Sequence, residues 1–353
     1  MNLERFEGAW TALVTPFAAD GTIHWPEFER LVHFQIDQGI TGLVPAGTTG
    51  ESPTLDWDEH NQLIDTTLRL RGDQCFVLAG TGSNSTDEGL RGSRHAVASG
   101  AEAVLLVDCY YNSPSSLELR KEYHGAIAAA CPQVLIVPYI IPSRTGTALA
   151  PEDLALLAHE HRNVRAVKEA TGDLKRMAQT RALVGDDFDI LSGDDNLTAT
   201  MMTDKAIRAN GVVSVMSNVV PGAVEAMARA FAAGRAEEGQ RLAAALDPLF
   251  NIVSVSVDDP RTLGAHRFTV RDKFRNPVPI KTLMQGLGMI AAGCRRPLGK
   301  PTLPAVEVVR AAAQAVWNCN PELLQPIEAA YGVSIRDRLD DDALWASLVY
   351  PAS

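Results

Sequence analysis

Short apolar, β-branched runs alternate with longer stretches of helical periodicity from residue 10 to about residue 231. That alternation predicts parallel strands joined by crossover helices. The runs at 10–15, 42–45, 75–79, 103–107, 134–139, 164–168, 189–192 and 211–215 give eight strands, each followed by one helical segment. Helix punctuation fits between them. Ser85-x-x-Glu88 has the spacing of a capping box, Pro221 stands where the eighth helix would open, and Gly39, Gly100 and Gly234 stand at helix ends. Eight units at this spacing favour an α/β fold of the closed (β/α)₈ TIM-barrel type over an open doubly wound sheet.

Beyond Gly234 the alternation stops, and residues 235–251, 280–291 and 305–317 carry helical patterns with no strand between them. The chain therefore divides into a catalytic barrel over 1–234 and a C-terminal helical appendage over 235–353. Within the latter, 255–275 is rich in charge and turn residues, and the tail after Pro321 is acidic around Asp337 to Asp342. Both read as surface additions.

Composition narrows the function. Hydrophobic residues make up 46% and charged residues 21%, so the chain can bury a large core. A net charge of -11 without a basic stripe argues against nucleic acid or an anionic membrane as partner. The first ten residues lack the apolar core of a signal peptide, and no run of about 18 apolar residues follows, so a cytoplasmic enzyme is expected. Cys75, Cys109, Cys131, Cys294 and Cys319 are scattered, with no Cys-x-x-Cys pair, which suggests reduced thiols and no thiolate metal site. Gly80-Thr-Gly82 lacks the third glycine of a dinucleotide loop, and the side chains of His159 and His161 diverge on a helix. Neither NAD binding nor a metal pair at His159 and His161 is therefore expected from these motifs.

In a barrel, chemistry concentrates at the C-terminal strand ends. There the sequence places Thr48 and Thr49 after the second strand, Tyr110 and Tyr111 after the fourth, Tyr139 at the end of the fifth with Arg144 beyond it, and Lys168 at the end of the sixth. A lysine closing an apolar strand is commonly just exposed. Inside a barrel mouth, desolvation disfavours its ammonium form and frees an amine to attack a ketone carbon. Imine chemistry also needs proton transfer, which Tyr139, Thr48 and Tyr111 could relay. The backbone amides and hydroxyls of Gly47-Thr-Thr-Gly50 could cradle a carboxylate, and Arg144 could clamp another bidentately. Ser192-Gly-Asp-Asp195 would shape the mouth or bind a cation, with capping of the following helix as its simplest use.

From Gly8 to about Arg296 the chain resembles the dihydrodipicolinate synthase family, within the N-acetylneuraminate lyase superfamily of pyruvate-dependent aldolases. The ordered motifs are Thr15-Pro-Phe17, Gly47-Thr-Thr-Gly-Glu-Ser52, Ala79-Gly-Thr-Gly82, Tyr110-Tyr-Asn112 with Pro114, Pro142-Ser-Arg-Thr-Gly146, Lys168-Glu-Ala-Thr-Gly-Asp173, Ser192-Gly-Asp-Asp195, Val212-Val-Ser-Val215 and Asn276-Pro-Val-Pro-Ile-Lys281. The resemblance implies a Schiff base between Lys168 and pyruvate, with no metal or organic cofactor. It also implies a relay of Tyr139, Thr48 and a Tyr111 that enters a neighbouring subunit's site, hence a homodimer or homotetramer. Thr48 and Thr49 would hold the pyruvate carboxylate, and Arg144 the carboxylate of aspartate 4-semialdehyde. Gly193 and the backbone of Val213 would line the site.

The arginine motif favours the synthase over the superfamily's sugar-acid lyases. Ser52, His60, Asn84, Glu88 and Tyr110 match positions that hold feedback-inhibiting lysine in regulated members, with Trp57 where some of those have histidine. Ile140 replaces the usual asparagine after the relay tyrosine, and 255–275 and the tail have no counterpart in short members. Two other readings therefore stand beside the synthase: an aldolase or dehydratase acting on a 2-oxo sugar acid or another aldehyde, and a barrel that binds lysine or pyruvate without turnover.

Overall fold

Strands β1 (Gly8–Ala12), β2 (Gly42–Val44), β3 (Phe76–Gly80), β4 (Ala103–Val107), β5 (Leu135–Ile140), β6 (Ala166–Glu169), β7 (Asp189–Ser192) and β8 (Gly211–Ser214) close on themselves, with β8 pairing back to β1. All eight are parallel in this computed structural model, which describes residues 3–350. Met1, Asn2 and the last three positions of the tail lie outside the described residues. The expected strands are all present, but β1 sits two residues earlier than the hydrophobic run suggests. The run continues past the sheet as Leu13 and Val14, which pack under the helices instead.

Alternation within each strand sorts the core into two layers. One parity, including Trp10, Ala12, Val44, Leu105, Val137, Ala166 and Leu191, fills the barrel interior. The other, including Leu43, Val77, Val104, Ile136, Val167 and Ile190, packs under the outer helices. Gly42 is required by this arrangement: a Cβ there would lie 2.1 Å from the Trp10 ring, which occupies the interior. Pro221 opens the helix Pro221–Ala232 as its sequence predicts. The predicted capping box at Ser85 does not form. The Ser85 side chain caps nothing, and Glu88 accepts the Ser83 hydroxyl, while the Ser85 backbone N–H that a capping box would give to Glu88 goes to Ser83 Oγ at 3.4 Å.

The C-terminal region departs from expectation. Helices Ala236–Phe250, Val278–Leu287 and Leu303–Cys319 are present, but residues 255–275 form no loose surface loop. Strands β9 (Ser254–Leu263) and β10 (His266–Arg275) make an antiparallel hairpin about the two-residue turn Gly264-Ala265, where Gly264 takes a positive φ. Its charged residues mask a period-two strand pattern by pairing across the ribbon: Arg271 bonds Asp258 at 3.1 Å, and Arg261 bonds Asp272. The acidic tail is likewise more than a surface addition. Trp345 is buried under the edge of Gly286, and Ile335, Leu339 and Leu348 join the same core.

A buried ion pair ties the appendage to the barrel. Lys281 Nζ lies 2.7 Å from Glu51 Oε1 with both side chains fully enclosed, donates to the carbonyl of Thr15 at 2.9 Å, and stands over the Phe17 ring. Glu51 also accepts the Arg295 backbone N–H at 2.9 Å. Removing one partner of such a pair strands the other's charge. Lys281→Met is therefore expected to lower the unfolding free energy by about 3–5 kcal/mol, measured from urea midpoints, with much of it recovered by adding Glu51→Gln. A single variant as stable as its parent would show that the pair contributes nothing.

Candidate active site

Tyr139 of β5 and Lys168 of β6 are direct partners in the parallel register, so both project to the barrel interior at its C-terminal end. Lys168 is only 5% exposed, and its Nζ stands 4.1 Å from the centre of the Tyr139 ring. Its nearest carboxylates act at a distance. Asp195 spends Oδ2 on the backbone N–H groups of Val215 and Met216, at 3.0 and 3.1 Å, and makes no cap for its helix. Burial consequently dominates and draws the Lys168 amine down from 10.5 to about 8, against the opposing pull of Asp194 and Asp195 and with a further push from Arg144. Burial has the opposite consequence for Tyr139, whose phenol is pushed up to about 12 although Arg144 and a hydrogen bond with Thr48 oppose it. At neutral pH it holds its proton.

A cavity of about 140 Å³ opens over this pair and is lined by Thr49, Tyr139, Arg144, Lys168 and Gly193. Five of the residues singled out from the sequence thus meet around one space. Gly193 is needed there: a Cβ would fall 2.6 Å from that of Ala170 and 3.1 Å from Lys168 Cε, pressing on the lysine stem. Thr48 lines a smaller adjoining space with Tyr139. Arg144, in the short helix Pro142–Thr145, donates from Nη2 to the carbonyl of Asn276 at 2.8 Å.

Tyr111 and Val213 do not line this subunit's own cavity. Tyr111 is 89% exposed and held at a positive φ of 76°, so its hydroxyl joins no relay within its own subunit. Val213 is buried in the barrel interior, and it is Val215, two residues on, that reaches the cavity. Ser52, His60, Glu88 and Tyr110 do converge, around a second space of about 120 Å³ closed by Trp57. Asn84 stands behind it, accepting the backbone N–H of Tyr110 at 2.7 Å. Burial draws His60 down to about 4, so it is neutral at physiological pH.

Several site residues escaped the sequence reading. Asn276 donates to the Thr49 hydroxyl at 2.9 Å, leaving its own buried Oδ1 without a partner, and so fixes a threonine 227 positions away. Its signal was present in the motif ending at Lys281, but nothing in the sequence said which strand end that motif would meet. Lys273, Arg275, Val253 and Ser254 also line the cavity, brought there by the base of the hairpin. Among the described residues no group of three or more His, Cys, Asp or Glu side chains is placed to hold a metal ion. The five cysteines are free thiols.

A closed parallel barrel carrying a buried, deprotonation-prone lysine beside a phenol at its C-terminal mouth defines a protein of the imine-forming (β/α)₈ class. More particularly, the chain belongs to the dihydrodipicolinate synthetase family, whose model matches residues 5–316. A 4-hydroxy-tetrahydrodipicolinate synthase from Geotalea uraniireducens is 40% identical over 294 residues, 83% of this chain and 92% of the relative. Among solved structures, the 4-hydroxy-tetrahydrodipicolinate synthase of Methylacidiphilum fumariolicum superposes with a TM-score of 0.80 at 34% identity, covering 93% of this chain and all of that one. The enzyme from Cyanidioschyzon merolae with lysine bound gives 0.79 at 31%, over 90% and 99% of the two chains.

Neutral amine, not ammonium, attacks the ketone, so the rate at which cyanoborohydride traps pyruvate on the protein is expected to rise with pH about a midpoint near 8. Peptide mapping should locate the adduct at Lys168, and Lys168→Ala should abolish it. A midpoint near that of an ordinary lysine, or an adduct mapped to another residue, would refute the assignment.

Proposed function

We propose that this protein is a Schiff-base lyase that condenses pyruvate with L-aspartate 4-semialdehyde to give 4-hydroxy-tetrahydrodipicolinate, the step that commits carbon to diaminopimelate and lysine. The observation that carries this reading is Lys168 buried beside Tyr139 in a cavity that also holds Arg144. Family membership and the synthases named above supply the reaction.

In the first step the Lys168 amine adds to the pyruvate carbonyl. Tyr139, protonated at neutral pH, hands a proton to the carbinolamine oxygen, which leaves as water. Loss of a methyl proton converts the imine to an enamine, whose carbon attacks the aldehyde. The new alkoxide takes a proton through the same phenol. The substrate's own amine then attacks the imine carbon, closes the ring and expels Lys168 for the next turn. Thr48 and Thr49 would hold the pyruvate carboxylate, with Gly193 giving the lysine room and the backbone near Val213 lining the floor. Arg144 would hold the acid of the aldehyde.

The relay needs a third member that leads protons to solvent. Tyr111 stands clear of its own subunit, which supports a tight dimer in which each subunit's Tyr111 enters the other's mouth. We also propose a cytoplasmic, homo-oligomeric enzyme; no helix among the described residues is long and apolar enough to cross a membrane. The nearest alternative, an aldolase or dehydratase acting on a 2-oxo sugar acid or another aldehyde, rests on Ile140 and the extended C-terminus, but Ile140 packs in the outer layer and does not line the cavity.

A coupled assay with both substrates should show turnover that falls by about 10²-fold or more in Tyr139→Phe, the scale for losing a general acid–base group. Turnover with other aldehydes but none with aspartate 4-semialdehyde would overturn the substrate assignment. We further propose that lysine binds the cavity around Ser52, His60, Glu88 and Tyr110, with Asn84 behind it, since Glu88 offers a carboxylate to its ammonium and Tyr110 a phenol to its acid group. Calorimetry should detect lysine binding that Glu88→Gln weakens by about ten-fold; no heat with the parent protein would exclude the site.

A further inference from the structure

The β9–β10 hairpin does more than decorate the barrel. Its base delivers Lys273 and Arg275 to the cavity that contains Lys168 and Arg144. The two lie two residues apart on β10 and so share a face of the ribbon. That face continues outward to Arg271, which is paired with Asp258, while Arg261 on β9 is paired with Asp272. Arg275 gives one N–H to the carbonyl of Ser143 at 2.8 Å, and Arg144 gives one to Asn276. Lys273 differs from all of these. It stands opposite Ser256 in the register, and its ammonium has neither an ion pair nor a hydrogen bond among the described residues.

Charge at the mouth is unbalanced. Besides Lys168, three cations face the cavity, Arg144, Lys273 and Arg275, against one carboxylate, Asp194. Setting Lys168 aside, the surplus is two positive charges, a field that favours the carboxylate end of an incoming substrate. The same three cations, with Asn276, also border an outer groove of about 590 Å³ that opens from the mouth past Phe274 and Tyr350. An incoming second substrate would therefore meet Lys273 as well as Arg144 on its way to the cavity.

We propose that Lys273 is a specificity-determining residue: it pairs with the acid group of the second substrate, and together with Arg144 restricts that substrate to aldehydes bearing a carboxylate. The inference rests on the reading under Proposed function and adds to it a contact supplied by the hairpin. Lys273 is itself exposed at the rim, so its contact with a carboxylate is solvent-screened and acts on binding of the second substrate, not on the chemistry below. Lysine also has the reach to follow a carboxylate inward from the rim.

Lys273→Gln is expected to raise the KM for aspartate 4-semialdehyde by about ten-fold while leaving kcat within about two-fold, the split for an interaction formed on binding. The trapping rate with pyruvate alone should not change. Lys273→Arg should retain most of the parent's KM. Arg267→Gln, which removes an equal charge near the exposed end of the hairpin, should have no effect. An unaltered aldehyde KM in Lys273→Gln, or an equal loss in pyruvate trapping, overturns the proposal. Should the parent protein not turn over aspartate 4-semialdehyde at all, the function reading fails, and Lys273 is judged by titrating the pyruvate-loaded enzyme with succinate semialdehyde and butanal. Preference for the acid-bearing aldehyde that disappears in Lys273→Gln upholds the role, and equal affinity for the two in the parent ends it.

Discussion

The ammonium of Lys281 and the carboxylate of Glu51 meet where no water reaches, and the geometry of the mouth depends on that meeting. Glu51 closes the turn that presents Thr48 and Thr49, and Lys281 belongs to the helix that begins just after Asn276, whose amide reaches Thr49. The turn is therefore gripped from both sides. Arg295 adds a further tie, bonding Glu51 through its backbone and Glu59 through its guanidinium while stacking over Phe17. A segment from beyond the barrel thus sets hydroxyl positions within it, and the appendage is part of the site's construction.

The same exclusion of water acts on two lysines with different results. Lys281 has a carboxylate at 2.7 Å and serves as a structural cation. Lys168 has none so close, because Asp195 is committed to the backbone after β8, and its burial goes into weakening its hold on a proton. Chemistry follows from that missing partner. An acidic side chain placed beside Lys168 would stabilise the ammonium and remove the nucleophile.

Much of this was legible in the sequence. Eight apolar runs with crossover helices specified the barrel, since each run is short and bounded by turn residues, and two-residue parity carried Tyr139 and Lys168 to one side of the wall. What stayed hidden involves contacts between distant segments or patterns masked by charge. The hairpin at 254–275 escaped because its alternation is written in Arg, Asp and Lys, whose burial depends on a cross-strand partner that a linear reading does not supply. Trp345 escaped because a single aromatic in an acidic stretch gives no periodicity. Ser85 and Glu88 had the right spacing for a cap, yet Ser83 takes both groups the box would join, the Glu88 carboxylate and the Ser85 backbone N–H.

Trp10 has a consequence for how reactants arrive. Its ring, seated where Gly42 gives way, and the apolar layers above it stop the barrel axis, so the chamber is a blind alley with one door. A tryptophan at the floor leaves the C-terminal mouth as the way to the amine, so both reactants share one approach.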